Sequence, residues 1–121
     1  MTIIVGAGPA GLAAALGLKE SGMILERNAF AGKKLLISGS GQCNLTNDLS
    51  ARDFLSRLGE FQNFLKPAYY EFDNRRLMQL LADNGCPLIT RKDGKVFPRS
   101  LHSADVRNTL LGLVERSGHS I

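Results

Sequence analysis

The run Thr2–Val5 is short and β-branched, it stops at Gly6, and two more glycines follow at Gly8 and Gly11. No other feature narrows the folding options as far. A β-branched run that ends in glycine fits a buried parallel strand. Helical pattern starts at about Pro9. Leu12, Ala15, Leu16 and Leu18 form its apolar side, Lys19 and Glu20 lie outside, and Gly22 is placed to end it. Met23–Leu25 then reads as a second strand running into Glu26. Strand, glycine turn, helix and strand make a βαβ unit with a right-handed crossover.

The three glycines have separate jobs if the turn holds a dinucleotide. Gly6 lets the chain leave the strand sharply, Gly8 clears the backbone for a pyrophosphate, and Gly11 lets the helix pack closely on the sheet. The helix N-terminus adds free N–H groups and partial positive charge, and Pro9 in the first turn forfeits no helical bond. Glu26 follows Gly6 by twenty positions, where a carboxylate can accept two hydrogen bonds from ribose hydroxyls and would repel a 2′-phosphate. The plainer alternatives are a ligand-free βα turn and an ordinary surface glutamate. Only three residues separate Gly22 from Glu26, about 10 Å of strand against a usual five or six residues. This strand is therefore expected to be clipped, or the chain to lack a few residues there.

Further on, Ser50–Leu58 has helical spacing, and a second short helix is expected around Phe61–Tyr70 despite Pro67. Asp73 is a good N-cap for a third helix with Leu77, Leu80 and Leu81 on one face and Gly85 at its end. Leu88–Arg91 and Lys95–Phe97 flank the turn Lys92–Asp93–Gly94 and read as a hairpin. Ser103 is expected to cap a final helix whose Val106, Leu110, Leu113 and Val114 point inward and which ends near Gly118. His119–Ile121 looks like the start of another strand. The fold class is α/β, a partial Rossmann-like domain for a dinucleotide such as FAD or NAD(P), in which the βαβ unit is followed by helices and a small hairpin. A sheet of two strands and a stub leaves an edge uncovered, as expected of a piece of a longer protein.

Composition excludes several classes. A net charge of +4 on 121 residues is mildly basic, but lysine and arginine are scattered and aromatics do not interleave with a basic stripe. Nucleic-acid binding is not expected on that basis. No apolar run is long enough to span a membrane, and Ile3–Val5 lacks the length and basic flank of a signal sequence. Cys43 and Cys86 sit far apart in no metal-ligand spacing, which together with the missing signal sequence suggests free thiols and a cytoplasmic setting.

The stretch "GKKLLISGSGQCNLTN", Gly32–Asn47, is too apolar for a linker and too rich in glycine and asparagine for a helix or strand interior. Together with the glycine turn and "ERNAFA" before it, this stretch resembles the YhiN/BaiN-like NAD(P)/FAD-dependent oxidoreductases, flavoproteins with a glutathione-reductase-like FAD domain. "KVFPRSLHSADVRNTLLGLVE" is similar to a later segment of that family, so the likeness covers essentially the whole chain. Family members are several times longer. The resemblance implies that residues 1–121 are the N-terminal part of an FAD-binding domain, with NAD(P)H as an electron donor to the full-length enzyme and an unknown small-molecule substrate.

On that resemblance, Gly6, Gly8, Pro9, Ala10 and Gly11 lie on the pyrophosphate and Glu26 on the ribose. Arg27 and Asn28 border the adenine side, and Lys33 or Lys34 contacts phosphate or ribitol oxygens. Ser38, Gly39, Gly41, Asn44 and Thr46 approach the ribitol and flavin. The chain departs from the family at Ser40, often glycine, and at Gln42, often arginine. Blander readings stand beside these: a solvated Lys33–Lys34 pair, turn roles for Asn44 and Asn47, inert packing for Cys43, and capping or surface roles for His102 and His119. No residue qualifies as a general acid or base. The alternatives to FAD binding are an NAD-binding module and a non-catalytic piece that self-associates through its uncovered sheet edge.

Overall fold

In a computed structural model, which describes residues 1–121, β1 (Thr2–Val5) and β2 (Gly22–Leu25) run parallel in the register Thr2↔Gly22 to Val5↔Leu25. Each strand has four residues, so the second strand is short but pairs with its partner along its whole length. The helix between them, α1 (Pro9–Leu16), ends sooner than the apolar pattern suggests. Gly17 caps it by giving its N–H to Ala14, and Leu18 lies beyond. Gly22 does not stop the helix; it opens β2. A Cβ there would sit 2.7 Å from Leu18 Cδ1 and 3.1 Å from the Thr2 carbonyl oxygen, so the strands and the chain just after α1 approach closely at this point.

The end of the chain adds to the same sheet. Ser120 bridges Met23 in parallel, with Ile24 N–H donating to the Ser120 carbonyl at 2.8 Å. The expected stub of a further strand is thus present, on the β2 side. Its neighbour His119 is neither a cap nor a surface group. It is buried, and its Nδ1 accepts the Gly22 N–H at 3.0 Å. His102, in contrast, is exposed.

Ile4 and Ile24 face a core covered by α1 and by α6 (Ser103–Arg116), whose Val106, Leu110 and Val114 are buried at the expected spacing. The opposite sheet face, formed by Ile3, Val5, Met23 and Leu25, is exposed. Cys43 and Cys86 are free and belong to the core, where burial pushes both thiols up from the ordinary range. That disfavours the thiolate and fits packing rather than redox chemistry.

The Gly32–Asn47 stretch carries more regular structure than its composition suggests. Lys33–Ile37 forms a short helix, α2, which Gly32 enters at φ +73°. The apolar and long-chain residues of KKLLI are adequate helix formers once a glycine sets the entry. Ser38–Gly41 follows as a tight 3₁₀ turn with Gly39 and Ser40 both left-handed. Thr46–Asn47 then pairs as β3 with β5 (Lys95–Pro98), which also pairs β4 (Leu88–Thr90), in the order β3-β5-β4. The hairpin was legible, but its free edge attracts a third strand from a segment far away in sequence.

Between these parts, α3 (Ala51–Ser56) is capped by Ser50, whose side chain accepts from Asp53 N–H at 3.1 Å. It stacks Phe54 on Tyr69 of α4 (Gln62–Glu71), ring centroids 4.5 Å apart. Asp73 caps α5 (Asn74–Asp83) as expected, and Gly85 leaves that helix at φ +84°. Ser103 does not cap α6. It is the first helical residue, buried, and its hydroxyl donates to the Leu36 carbonyl at 2.6 Å. The last carbonyls of a helix as short as α2 have no partner of their own, and the Ser103 hydroxyl fills that need. No helix of the structure is long and apolar enough to cross a membrane.

Candidate functional site

A cleft of about 1020 Å³ opens at the carboxyl ends of β1 and β2, the position where parallel sheets bind ligands. The glycine turn forms its floor. Gly6 takes φ +100°, a left-handed conformation that favours glycine. A Cβ placed at Gly11 would overlap the Gly6 carbonyl oxygen, so helix and turn touch backbone to backbone there. A Cβ at Gly8 would meet nothing within 4 Å, so that glycine faces the open cleft. Gly8 is the N-cap of α1 without a side-chain cap bond, Pro9 begins the helix, and the first turn carries no acid. Its amides and partial positive charge are therefore available to an anion.

Glu26 stands across from the turn and accepts from two main-chain donors and one side-chain donor. Its Oε2 accepts the Ala7 N–H at 2.8 Å, and its Oε1 accepts the Asn28 N–H at 2.8 Å and Asn28 Nδ2 at 2.6 Å. These bonds, the Asn28 amide first and the Ala7 amide next, hold its carboxyl below the usual carboxylate range. The Ala7 carbonyl in turn accepts the Gly32 N–H at 2.8 Å. One buried residue of the turn thus ties both the end of β2 and the entry to α2. Behind Gly32, Arg107 of α6 donates from Nε to the Ala31 carbonyl at 2.6 Å, and its side-chain stem lies 3.0 Å from where a Gly32 Cβ would be.

The expected site residues separate into groups. Gly6, Gly8, Pro9 and Glu26 line the cleft, as do Arg27, Lys33 and Lys34. Ala10 and Gly11 sit just behind it in the first turn of α1. Ser38, Gly39 and Gly41 form the 3₁₀ turn after α2, outside the cleft lining. Asn44 and Thr46 lie against the hairpin in a separate polar depression of about 360 Å³, with Arg57, Asp93 and Lys95. Gln42 accepts from Arg91 Nη2 at 3.0 Å, and Arg91 lies 3.8 Å over the Phe97 ring.

Sequence reasoning gave Asn28 a place at the cleft but not its grip on Glu26. An asparagine two positions after an acid is the available signal, since such side chains commonly fold back on nearby groups. Arg107 was not anticipated, and nothing around it in sequence marks a residue that reaches 76 positions back.

The parallel βαβ unit, the glycine turn and the cleft at the strand ends define a Rossmann nucleotide-binding class of domain. The chain belongs to the family described as the HI0933-like protein Rossmann domain, which matches it over residues 1–121. It is 34% identical over 113 residues to the 3-dehydro-bile acid delta(4,6)-reductase of Clostridium scindens, covering 88% of this chain and 27% of that protein. It is 32% identical over 99 residues to the ribosomal RNA dihydrouridine synthase of Haemophilus influenzae, covering 78% of this chain and 24% of that one. The chain therefore spans about a quarter of the length of these curated relatives.

Proposed function

We propose that this chain is the part of an FAD-dependent oxidoreductase that binds the ADP moiety of the cofactor. The observation that carries this is the joint placement of the open Gly8 and the Ala7-bound Glu26 carboxylate on one cleft. Gly8 and the first turn of α1 would hold the pyrophosphate, and Glu26 the ribose. Lys33 and Lys34, on the same cleft, supply positive charge for the phosphates. When bound, a flavin supplies reversible transfer of electrons and hydride, and the chain supplies binding, orientation and electrostatics.

The relatives favour a reductive chemistry. One is named for a reductase acting on a bile acid, the other for making dihydrouridine, a nucleoside two hydrogens richer than uridine. Their substrates differ, so the substrate of this protein is not inferred from either. In the whole enzyme NAD(P)H would serve as electron donor, and the setting is cytoplasmic.

FAD and NAD titrations followed by thermal stability test the reading, together with flavin absorbance of the purified chain. FAD at a hundred times its Kd should stabilise the protein by about 2.7 kcal/mol. A colourless chain stabilised by NAD alone would make it an NAD-binding module instead. A second reading, self-association, draws on the exposed Ile3, Val5, Met23 and Leu25 face. Light scattering decides it: a monomer at micromolar concentration removes that reading.

A further inference from the structure

We infer that Asn28 is a positioning residue for the ribose contact: by occupying Glu26 Oε1 with two donors, it leaves Oε2 to take a single ribose hydroxyl. The inference rests on the dinucleotide reading above and extends it to a residue and a stoichiometry.

An ionised carboxylate offers about four lone-pair sites, two on each oxygen. Asn28 N–H and Asn28 Nδ2 fill Oε1, at 2.8 and 2.6 Å. The Ala7 N–H takes one site on Oε2 at 2.8 Å. The site left over is on Oε2, the oxygen pinned to the glycine turn. A diol straddling both carboxylate oxygens would have to displace Asn28. A single hydroxyl on Oε2 displaces nothing, and it lies next to the turn where the pyrophosphate would sit. Asn28 itself is exposed, and its side chain makes this one hydrogen bond and no other. The charged groups that share the cleft are Arg27, Lys33 and Lys34; none of them forms an ion pair with the Glu26 carboxylate, on which the Arg27 main-chain amide has the smallest effect of the neighbouring donors.

The test measures binding of ADP, 2′-deoxy-ADP and 3′-deoxy-ADP to the unmutated chain and to Asn28→Ala, Glu26→Ala and the double variant. One deoxy analogue should bind about tenfold more weakly than ADP, and the other about equally. Asn28→Ala should weaken ADP about fivefold, because the carboxylate loses the bond that fixes its orientation before the ligand arrives. That loss should vanish in the Glu26→Ala background, because a residue acting only through Glu26 has nothing left to position. Asn28→Asp, which puts like charge beside Glu26, should be weaker still. Equal losses from both deoxy analogues, or an Asn28→Ala loss that persists without Glu26, would overturn the assignment while leaving dinucleotide binding intact. Failure of the unmutated chain to bind ADP at all would overturn the dinucleotide reading and this inference with it.

Discussion

Ala7 gives its N–H to Glu26 Oε2 at 2.8 Å across nineteen positions of sequence, so the carboxylate braces the very turn it faces. The bond joins the end of one strand to the loop after the other, and it has an acid limit. Because these donors lower the folded pKa of Glu26, its contribution to stability is present above the unfolded value of about 4.3 and lost as pH falls through the lower folded value. Glu26→Gln should therefore flatten the decline of thermal midpoint below about pH 4.5. An unchanged decline would place the acid sensitivity elsewhere, with Asp93, also held low by the Lys95 amide, as the next group to replace.

The glycines of the turn should respond in opposite ways. Gly11→Ala drives a Cβ into the Gly6 carbonyl and should cost about 1–3 kcal/mol in urea denaturation. The Cβ that Gly8→Val introduces meets nothing within 4 Å, so stability should stay within about 0.5 kcal/mol while the FAD response disappears. Retained FAD binding in a folded Gly8→Val protein would mean that the cofactor lies elsewhere.

Arg107 should matter to a site it does not line. Its Nε bond to the Ala31 carbonyl fixes the entry to α2, the helix that carries Lys33 and Lys34. Arg107→Ala should lose about 1.5–3 kcal/mol by chemical denaturation, as for a hydrogen bond from a charged donor. Arg107→Lys should recover little, since an ammonium cannot reproduce the Nε position.

His119→Ala leaves the buried Gly22 N–H without its acceptor, a penalty of about 1–3 kcal/mol. Amide hydrogen exchange should quicken first at Gly22 and Ile24, which lie at the seam between β2 and the end of the chain. Uniform quickening over α3 and α4 instead would show that His119 acts globally.

Much of the fold could be read locally. The βαβ unit, the hairpin, the Asp73 cap and the inward face of α6 all follow from periodicity and turn residues within a few positions of one another. Three of the differences share a cause: each involves a partner remote in sequence. Ser103 looked like a cap because its neighbours form a helix, yet its hydroxyl answers a carbonyl of α2. His119 looked superficial beside a helix-ending glycine, yet the Gly22 amide holds it inside. Thr46–Asn47 has no strand pattern of its own and pairs only because β5 presents an edge. At the site, the glycines and Glu26 were legible from spacing. The Ala7 bridge and the Asn28 grip were not, because no spacing rule records which donor a carboxylate turns toward.

The His119–Gly22 bond also orders events during synthesis. β1 and β2 can meet once a short crossover has been made, a closure that costs little chain entropy. Gly22 acquires its buried acceptor only after 97 further residues have emerged. Until then the outer rim of β2 is bare, and the nascent chain presents a two-stranded ribbon with both borders unsealed. Two-stranded sheets are marginal alone, so this segment is expected to wait for α6 and the residues behind it before it locks. A ribosome-stalled chain ending before His119 should remain protease-sensitive at β2, and one long enough to expose Ser120 outside the exit tunnel should not.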